Sequence, residues 1–481
     1  MKKELHIIYF ISALTRFSIL PMILSGVALF YNANEYKLYG QMMILALVIF
    51  GVTSLLIELT KDCKDTKLQR NDDSIIVTAT WLLTIFISAI PYMLFQNLTF
   101  TQSFFESTSG WTTTGLSVLD VVNAPLVIIL YRSLTQFFGG VGIVLIALTF
   151  IGKSPGIKIF MQEGHSDQLL PNLKQSARLI FNIYTAYVIF GILGLIILGM
   201  NSFDAINISM AALSTGGFAP QASSLIYYNS FPIELFTMLL MILGATNFAA
   251  HLLIINRRLL TFFKTSEFKI FAIFSSIITM IIYLNSTNAF GISLRVIIFE
   301  VISAITTTGF SVTTDFYSQW RPIWVVLLVV LMVIGGGSGS TAGGIKQSRV
   351  SIALKSIFMY FKRLTLPKQI IKNSVYYHNN GEVTTLDKSH SLDALMYIVI
   401  YLIVLFVGTV IFALYDYSVV DSLFEFASSL GTVGTSVGII SQSTPTVVMW
   451  TSIVGMLFGR LEIMVIIAAT VSISNRLQRV N

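Results

Sequence analysis

The sequence predicts an all-α integral membrane protein: an amino-terminal helical hairpin, then four units of span, half-membrane helix, loop and span arranged around a pseudo-fourfold axis. Three observations carry this. Hydrophobic residues make up 55% of the 481 and charged residues only 11%, with a mean hydropathy of +0.79, whereas soluble domains average about 25% charged. Apolar stretches of about 20 residues, the length that crosses a bilayer, recur ten times: near 7–31, 40–60, 75–97, 125–151, 178–200, 231–255, 268–288, 321–350, 391–415 and 446–474. A short motif recurs four times between them: Thr112-Thr113-Thr114-Gly115, Ser214-Thr215-Gly216-Gly217, Thr306-Thr307-Thr308-Gly309 and Gly431-Thr432-Val433-Gly434. Its closing glycines are 102, 92 and 125 residues apart (115 to 217, 217 to 309, 309 to 434). That is too far for a solenoid repeat and suits one membrane module per copy.

The elements follow in order. Met1-Lys2-Lys3 leads into an apolar run with no small-residue cleavage site after it, so the first span is expected to be retained. Residues 1–73 then form the hairpin and a cytoplasmic loop, and the four units occupy 74–155, 156–260, 261–363 and 364–481. The single cysteine, Cys63, excludes an internal disulfide and a cysteine metal cluster. It sits among charges and reads as a bystander.

The net charge of +7 does not indicate nucleic acid, because of where it lies. Lys61, Lys64, Lys67 and Arg70 follow span two; Lys153 and Lys158 follow span four; Arg257, Arg258 and Lys264 follow span six. Lys355, Lys362, Arg363, Lys368 and Lys372 follow span eight, and Arg476 and Arg479 follow the last. These are alternate loops, which by the positive-inside rule places both termini in the cytoplasm. The Thr/Gly motifs then all lie on the outward side. Each is preceded by a stretch too short to span: Ser103 to Trp111, Phe203 to Leu213, Ile292 to Ile305 and Val419 to Leu430. These read as re-entrant pore helices.

Nine residues before the motif glycine stand Glu106, Glu300 and Glu425, each after a phenylalanine; the second unit has Ile208 there and its acid earlier, at Asp204. A carboxylate near the start of a pore helix suits the positive end of the helix dipole. Helix capping and a cation-attracting field at the mouth are both compatible with that placement.

The loops offer backbone carbonyls. Glycine permits the left-handed conformations that turn successive carbonyls to one side, and threonine adds a hydroxyl acceptor. Carbonyl dipoles suit a monovalent cation, and none of the four motifs carries the acid that a divalent ion would want. The candidate filter is therefore Thr113, Thr114, Gly115; Thr215, Gly216, Gly217; Thr307, Thr308, Gly309; and Thr432, Val433, Gly434. The ion would be held at their carbonyls.

Two features suggest a gate. Gly335-Gly336-Gly337-Ser338-Gly339-Ser340-Thr341-Ala342-Gly343-Gly344, followed by Ile345-Lys346, interrupts the third unit's second span. Each glycine costs a helix interior about 1 kcal/mol relative to alanine, so the span is expected to break here. Irregular backbone at membrane depth is tolerated where it lines a cavity or is buried in protein. A close-packed small-residue helix interface is the other reading; a phosphate loop is discounted, since no Gly-Lys-Ser/Thr follows. Arg460 interrupts the last apolar stretch. A fixed charge about 4 Å from a passing cation repels it by about 4 kcal/mol at an effective dielectric of about 20, while a structural ion pair, with Glu462 considered first, is the plainer alternative. Arg132, Asn247 and His251 are expected to serve packing and hydrogen bonding.

These motifs, with Gln136-Phe137-Phe138-Gly139-Gly140-Val141-Gly142, the glycine-rich run and Phe458-Gly459-Arg460-Leu461-Glu462, resemble the Trk/Ktr/HKT superfamily of potassium transporters. The amino-terminal hairpin and the Lys362 to Asp393 segment make the chain most similar to the membrane subunit of a bacterial Trk system. The resemblance implies potassium uptake through a pore in the bacterial cytoplasmic membrane, with filter glycines at Gly115, Gly217, Gly309 and Gly434. It further implies gating by the glycine-rich loop and Arg460, a homodimer, and a cytoplasmic nucleotide-binding regulatory ring. The ring would dock on the basic loops, especially Lys153 to Lys174 and Lys355 to Lys372. No cofactor is expected on this chain; potassium is its substrate. A sodium- or proton-coupled secondary transporter is the rival, but it needs titratable groups at the midplane, which are few. No nucleophile, base and metal arrangement supports an enzyme.

Overall fold

In hydrocarbon a backbone satisfies its own polar groups as helix, and the apolar stretches do so. The computed structural model describes residues 2–63, 71–143, 145, 173–286, 292–313, 321–365 and 374–480. The chain opens with α1 (Lys2–Thr15) and α2 (Ile19–Leu24), which form one apolar run over 5–30, and returns in α3 (Tyr36–Thr60). The first unit is α4 (Asp72–Phe95), α5 (Phe100–Trp111) and α6 (Leu126–Val141). The second is α7 (Leu173–Ile197), α8 (Ser202–Leu213), α9 (Phe231–Ala245) and α10 (Phe248–Ile255). After α11 (Leu259–Lys264) the third unit follows as α12 (Ser266–Ser286), α13 (Leu294–Ile305), α14 (Pro322–Ile334) and α15 (Gln347–Thr365). A small antiparallel hairpin, β1 (Val375–Tyr377) with β2 (Val383–Thr385), leads to α16 (Lys388–Ala413), α17 (Val419–Leu430), α18 (Thr446–Leu461) and α19 (Ile463–Val480).

Among the described residues six helical runs are long and apolar enough to cross a membrane, matching expected spans one, two, three, five, seven and nine. The other four correct the sequence reading. α6 and α14 are 16 and 13 residues, short of the thickness of the hydrocarbon at about 1.5 Å per residue. The stretch at 231–255 bends by 115° between α9 and α10, and the last stretch bends by 103° between α18 and α19. α6 stops at Gly142 (φ 95°), α9 at extended Thr246, α14 at Gly335 (φ 68°) and α18 at Glu462 (φ 60°). The second spans of units two, three and four therefore break where α6 of unit one ends, and only the third break carries glycines enough to be seen in the sequence. Hydropathy stays high through the others and says nothing about backbone angles.

The four short helices α5, α8, α13 and α17 are each twelve residues, close to the expected pore helices. Each starts at a polar cap: Thr99, Asn201, Ser293 and Ser418 accept a backbone N–H of the first turn, and Thr99 forms a capping box with Gln102. α5 packs against α18 of the fourth unit, α8 against α6 of the first, α13 against α9 of the second and α17 against α14 of the third. That order closes a circle. The amino-terminal hairpin braces it from outside: the Glu35 carboxylate accepts from Leu126 N (3.0 Å) and Val127 N (2.8 Å), capping α6 where Pro125 supplies no side-chain cap. Cys63 is buried, and its carbonyl accepts from His6 Nδ1 at 2.5 Å.

Loss of a cap hydroxyl costs a helix about 1 kcal/mol. Ser418→Ala is expected to lower the thermal midpoint of purified protein while Ser418→Asp retains it; equal midpoints for the two variants would contradict the capping role of Ser418 in α17.

Candidate functional site

The four Thr/Gly motifs follow one backbone course. Thr113, Thr215, Thr307 and Thr432 have φ of 56°, 51°, 53° and 50°, and the glycine two residues on has φ of 95°, 71°, 84° and 97°. The residue between them keeps a negative φ, so handedness alternates and successive carbonyls turn to the same side. A β-branched residue in the left-handed region is costly, about 1–3 kcal/mol each. Four at matching positions mark a shape the surrounding structure imposes.

Hydrogen bonds to the end of the short helix before each loop impose it. Thr113, Thr215, Thr307 and Thr432 donate their N–H to the carbonyls of Gly110, Ala212, Ala304 and Ser429. The next residue in each loop reaches one residue further back: Thr114 N to Ser109 O (2.9 Å), Gly216 N to Ala211 O (2.8 Å), Thr308 N to Ser303 O (3.0 Å) and Val433 N to Ser428 O (2.8 Å). Serine hydroxyls reinforce two loops, accepting from Gly115 N and Gly434 N at 3.0 Å each.

The loops also interlock with one another. A Cβ on Gly115 would collide with the Gly216 carbonyl oxygen, one on Gly217 with Thr308 O, one on Gly309 with Val433 O, and one on Gly434 with Thr114 O. Each motif glycine thus lies against the last carbonyl before the next unit's glycine, and the sequence of contacts returns to its start. The sequence-derived residues of all four loops are brought together.

The acids stand elsewhere than expected. Glu106, Glu300 and Glu425 are each the seventh residue of a twelve-residue helix, not in its first turn, and are buried. Neither capping nor an exposed field at the mouth describes them. Each ties its helix to the chain beyond the motif glycine: Glu106 accepts from Ser117 Oγ (2.9 Å) and Val118 N (3.0 Å), Glu300 from Ser311 Oγ (2.8 Å) and Val312 N (3.0 Å), and Glu425 from Ser436 Oγ (2.6 Å) and Val437 N (2.8 Å). A trace of this is visible in the sequence, since those three units share Gly-X-Ser while the second reads Gly217-Phe218-Ala219, losing serine and glutamate together.

Unit two is held from its neighbour instead. Gln136 of α6 donates from Nε2 to Gly216 O and accepts from Phe218 N (3.2 Å) at Oε1. Arg132, also of α6, stacks 3.9 Å over the Phe218 ring while its Nε pairs with Glu106 Oε1 at 2.8 Å. Both partners of that pair are buried, at 2% and 0% exposure. Asp204 accepts from Tyr228 OH (2.5 Å) and Gln221 Nε2 (3.3 Å), bracing the same stretch further out.

Beneath the loops runs the glycine-rich segment, no helix between Ile334 and Gln347. Gly343 N donates to Thr307 Oγ1 (2.9 Å), and a Cβ on Gly343 would meet Gly431 O and Thr432 Oγ1. Thr341 Oγ1 lies 3.1 Å from Thr215 Oγ1 and donates to the Leu213 and Gly244 carbonyls. Gly337 N donates to Ala245 O (2.9 Å), Asn247 Nδ2 to Ser338 O, and Ser338 N to Glu267 Oε1 (3.1 Å). Gly335 and Gly344 have φ of 68° and 77° and pack on each other, and Gly336 and Gly339 complete the turn. Lys346, buried with φ of 81°, donates from Nζ to Ala342 O.

Arg460 is not paired with Glu462 in the way expected first. It donates to the backbone carbonyls of Thr341 (2.7 Å), Gly139 and Gly140 (2.9 Å), joining the glycine-rich segment to the break of the first unit. Glu462 pairs with Arg349 of α15 at 2.7 Å. Asn247 and His251 are structural, as expected: Asn247 Oδ1 caps α10 by accepting from Ala249 N (2.6 Å), and His251 donates from Nε2 to Leu243 O (3.1 Å). Among the described residues no cluster of three or more metal-ligating side chains occurs. The segment from Lys153 to residue 172 lies outside the described residues.

Fold and site together define a multi-span membrane protein organised around a closed ring of four strained backbone loops. The chain matches the family model described as TrkH, cation transport protein, over residues 40–477. It belongs to that family. It is 30% identical over 472 residues to the Trk system potassium uptake protein TrkH of Escherichia coli, covering 92% of this chain and 93% of the relative. An uncharacterized cation transporter of Methanocaldococcus jannaschii is 29% identical over 453 residues, 93% of this chain and 90% of that one. The crystal structure of the potassium transporter TrkH from Vibrio parahaemolyticus superimposes with a TM-score of 0.79 at 24% identity, covering 95% of this chain and 98% of that one, which establishes the shared fold.

Removing one member of a buried ion pair strands the other, at about 3–5 kcal/mol. Glu106→Gln and Arg132→Met are each expected to lower the yield of folded protein and its thermal midpoint sharply, and the double variant to recover part of the loss, with a coupling of at least about 2 kcal/mol. Strictly additive losses would show that the pair does not act as one unit.

Proposed function

We propose that this protein takes up potassium across a bacterial cytoplasmic membrane through a channel-like path. The four loops are its filter, and the glycine-rich segment with Arg460 is its gate. One observation carries the reading: the carbonyls of Thr114, Gly216, Thr308 and Val433 each meet the preceding unit's glycine in a closed ring. Such a ring replaces the hydration shell of a dehydrated monovalent cation without the tight hold that carboxylates would give. The names of the curated relatives support potassium as the ion.

The gate follows from the bonds beneath the ring. The left-handed threonines of units two and three offer their hydroxyls to the glycine-rich segment, so the residues that shape the filter also hold the segment shut. Arg460 latches the same segment through charge-assisted bonds, each worth about 1.5–3 kcal/mol. Opening requires releasing that latch. A homodimer assembled in this membrane, with both termini cytoplasmic and a nucleotide-binding ring docked on the basic loops, completes the reading. The ring's binding energy would be spent on moving the segment.

Purified protein in liposomes with an outward-to-inward potassium gradient is expected to pass potassium with a protonophore present and sodium absent. Flux that needs a proton or sodium gradient would instead support the coupled transporter. In the same assay Gly434→Ser, which places an atom against Thr114 O, is expected to lower the potassium over sodium preference several-fold; an unchanged ratio would remove Gly434 from the filter.

Arg460→Ala is expected to raise flux several-fold. Arg460→Lys should fall between it and the parent, because one ammonium cannot reach three carbonyls. Folded Arg460→Ala protein with unaltered flux would rule out the latch.

A further inference from the structure

α15 leaves the glycine-rich segment with the Gln347 side chain bound to Gly335 O (3.0 Å) and ends in Lys362 and Arg363. Its later turns are apolar on the outside: Tyr360, Phe361 and Leu364 are 62%, 59% and 65% exposed, and Ile357 and Phe358 extend the same surface. Facing water, such a surface is penalised by about 25 cal/mol per Å². Between α15 and the first turns of α16 lies a groove of about 470 Å³, within the usual range of about 300–1,000 Å³ for small-molecule sites.

The groove has two kinds of wall. Ile357, Phe361, Leu392 and Leu395 form an apolar floor, while Arg363 and Lys388 stand on the rim beside the Ser374 and Ser391 side chains. One carboxylate, Asp387, lines the same groove, leaving two cations against one anion. Among the described residues neither Arg363 nor Lys388 forms an ion pair. α16 is long and apolar enough to cross a membrane; its first residues, Lys388 to Asp393, are mostly polar, and exposed Leu392, Met396 and Val399 lead the apolar floor up into its apolar stretch. The rim therefore lies where that span emerges from the hydrocarbon.

We infer that this groove is a binding site for an anionic phospholipid, with an acyl chain along the apolar floor and the phosphate between Arg363 and Lys388. An apolar body with a basic rim at the edge of a span is the pattern of headgroup recognition, and each cation near an anionic lipid surface is worth about a fivefold gain in affinity. A soluble partner, the docked ring of the proposed function included, would have to cover a floor that continues into hydrocarbon, so Arg363 is assigned here to the lipid and not to the ring. The site is independent of which ion the pore carries.

Native mass spectrometry of the detergent-purified protein, titrated with phosphatidylglycerol and separately with phosphatidylcholine, tests this. The parent protein is expected to retain phosphatidylglycerol at least tenfold more tightly than phosphatidylcholine. The double variant Arg363→Gln/Lys388→Gln should lose about 25-fold in phosphatidylglycerol affinity, two charges at about fivefold each. Ser391→Trp, which fills the groove without altering its charge, should lose phosphatidylglycerol as well; monodisperse elution of both variants keeps the comparison meaningful. Equal affinity for the two lipids, or phosphatidylglycerol affinity unaltered in both variants, overturns the proposal. Unaltered lipid retention with loss of a bound soluble partner protein does so too, and would make the groove a protein-docking surface.

Discussion

Everything in the centre of this molecule depends on four backbones approaching more closely than side chains allow. At Gly115, Gly217, Gly309 and Gly434 a single added carbon would strike the carbonyl of the neighbouring loop. The approach fixes glycine at those positions, and the turn that delivers each glycine puts a threonine two residues earlier in the left-handed region. Holding four strained threonines takes support from all around. Bonds to the ends of the four short helices, buried glutamates bound beyond the motif glycines, and short helices packed on the preceding unit supply it.

The support is unequal, and the inequality has a chemical pattern. Units one, three and four use a glutamate and serine within the unit. Unit two lacks both and borrows Gln136 and Arg132 from unit one, so Arg132 serves two walls at once: a salt bridge to Glu106 and a stack on Phe218. A buried charge at membrane depth is tolerable only when matched, and Arg132 and Glu106 match each other. The same unevenness appears below. The second spans of units two to four break, and the third break is drawn out into a segment long enough to reach under the four loops and be held by Arg460. A fourfold frame thus carries its one long irregular segment, the gate we propose, on one side only.

Much of this was legible in the sequence because it is written in composition and in glycine. Hydropathy located the six helical runs long enough to cross a membrane, and the recurring motif located the loops and the helices before them. What stayed hidden depends on direction or partner choice. The breaks at Gly142, Thr246 and Glu462 lie in apolar sequence that reads as continuous helix. The role of Glu106, Glu300 and Glu425 could be found only from the linked loss of glutamate and serine in unit two. Arg460, two residues before Glu462, suggested a pair, but the left-handed turn at Glu462 sends the two side chains apart, one to three carbonyls and the other to Arg349. The hairpin at 375–385 has strands of three residues, too short for periodicity to reveal.

The central claim is that the ring of carbonyls is where the transported ion loses its water. Anomalous diffraction from crystals grown in rubidium chloride tests it most directly, since rubidium is a scattering substitute for potassium. The account predicts a rubidium peak on the pseudo-fourfold axis at the level of the Thr114, Gly216, Thr308 and Val433 carbonyls. Ordered rubidium elsewhere in the membrane region, with none at that level, would contradict it.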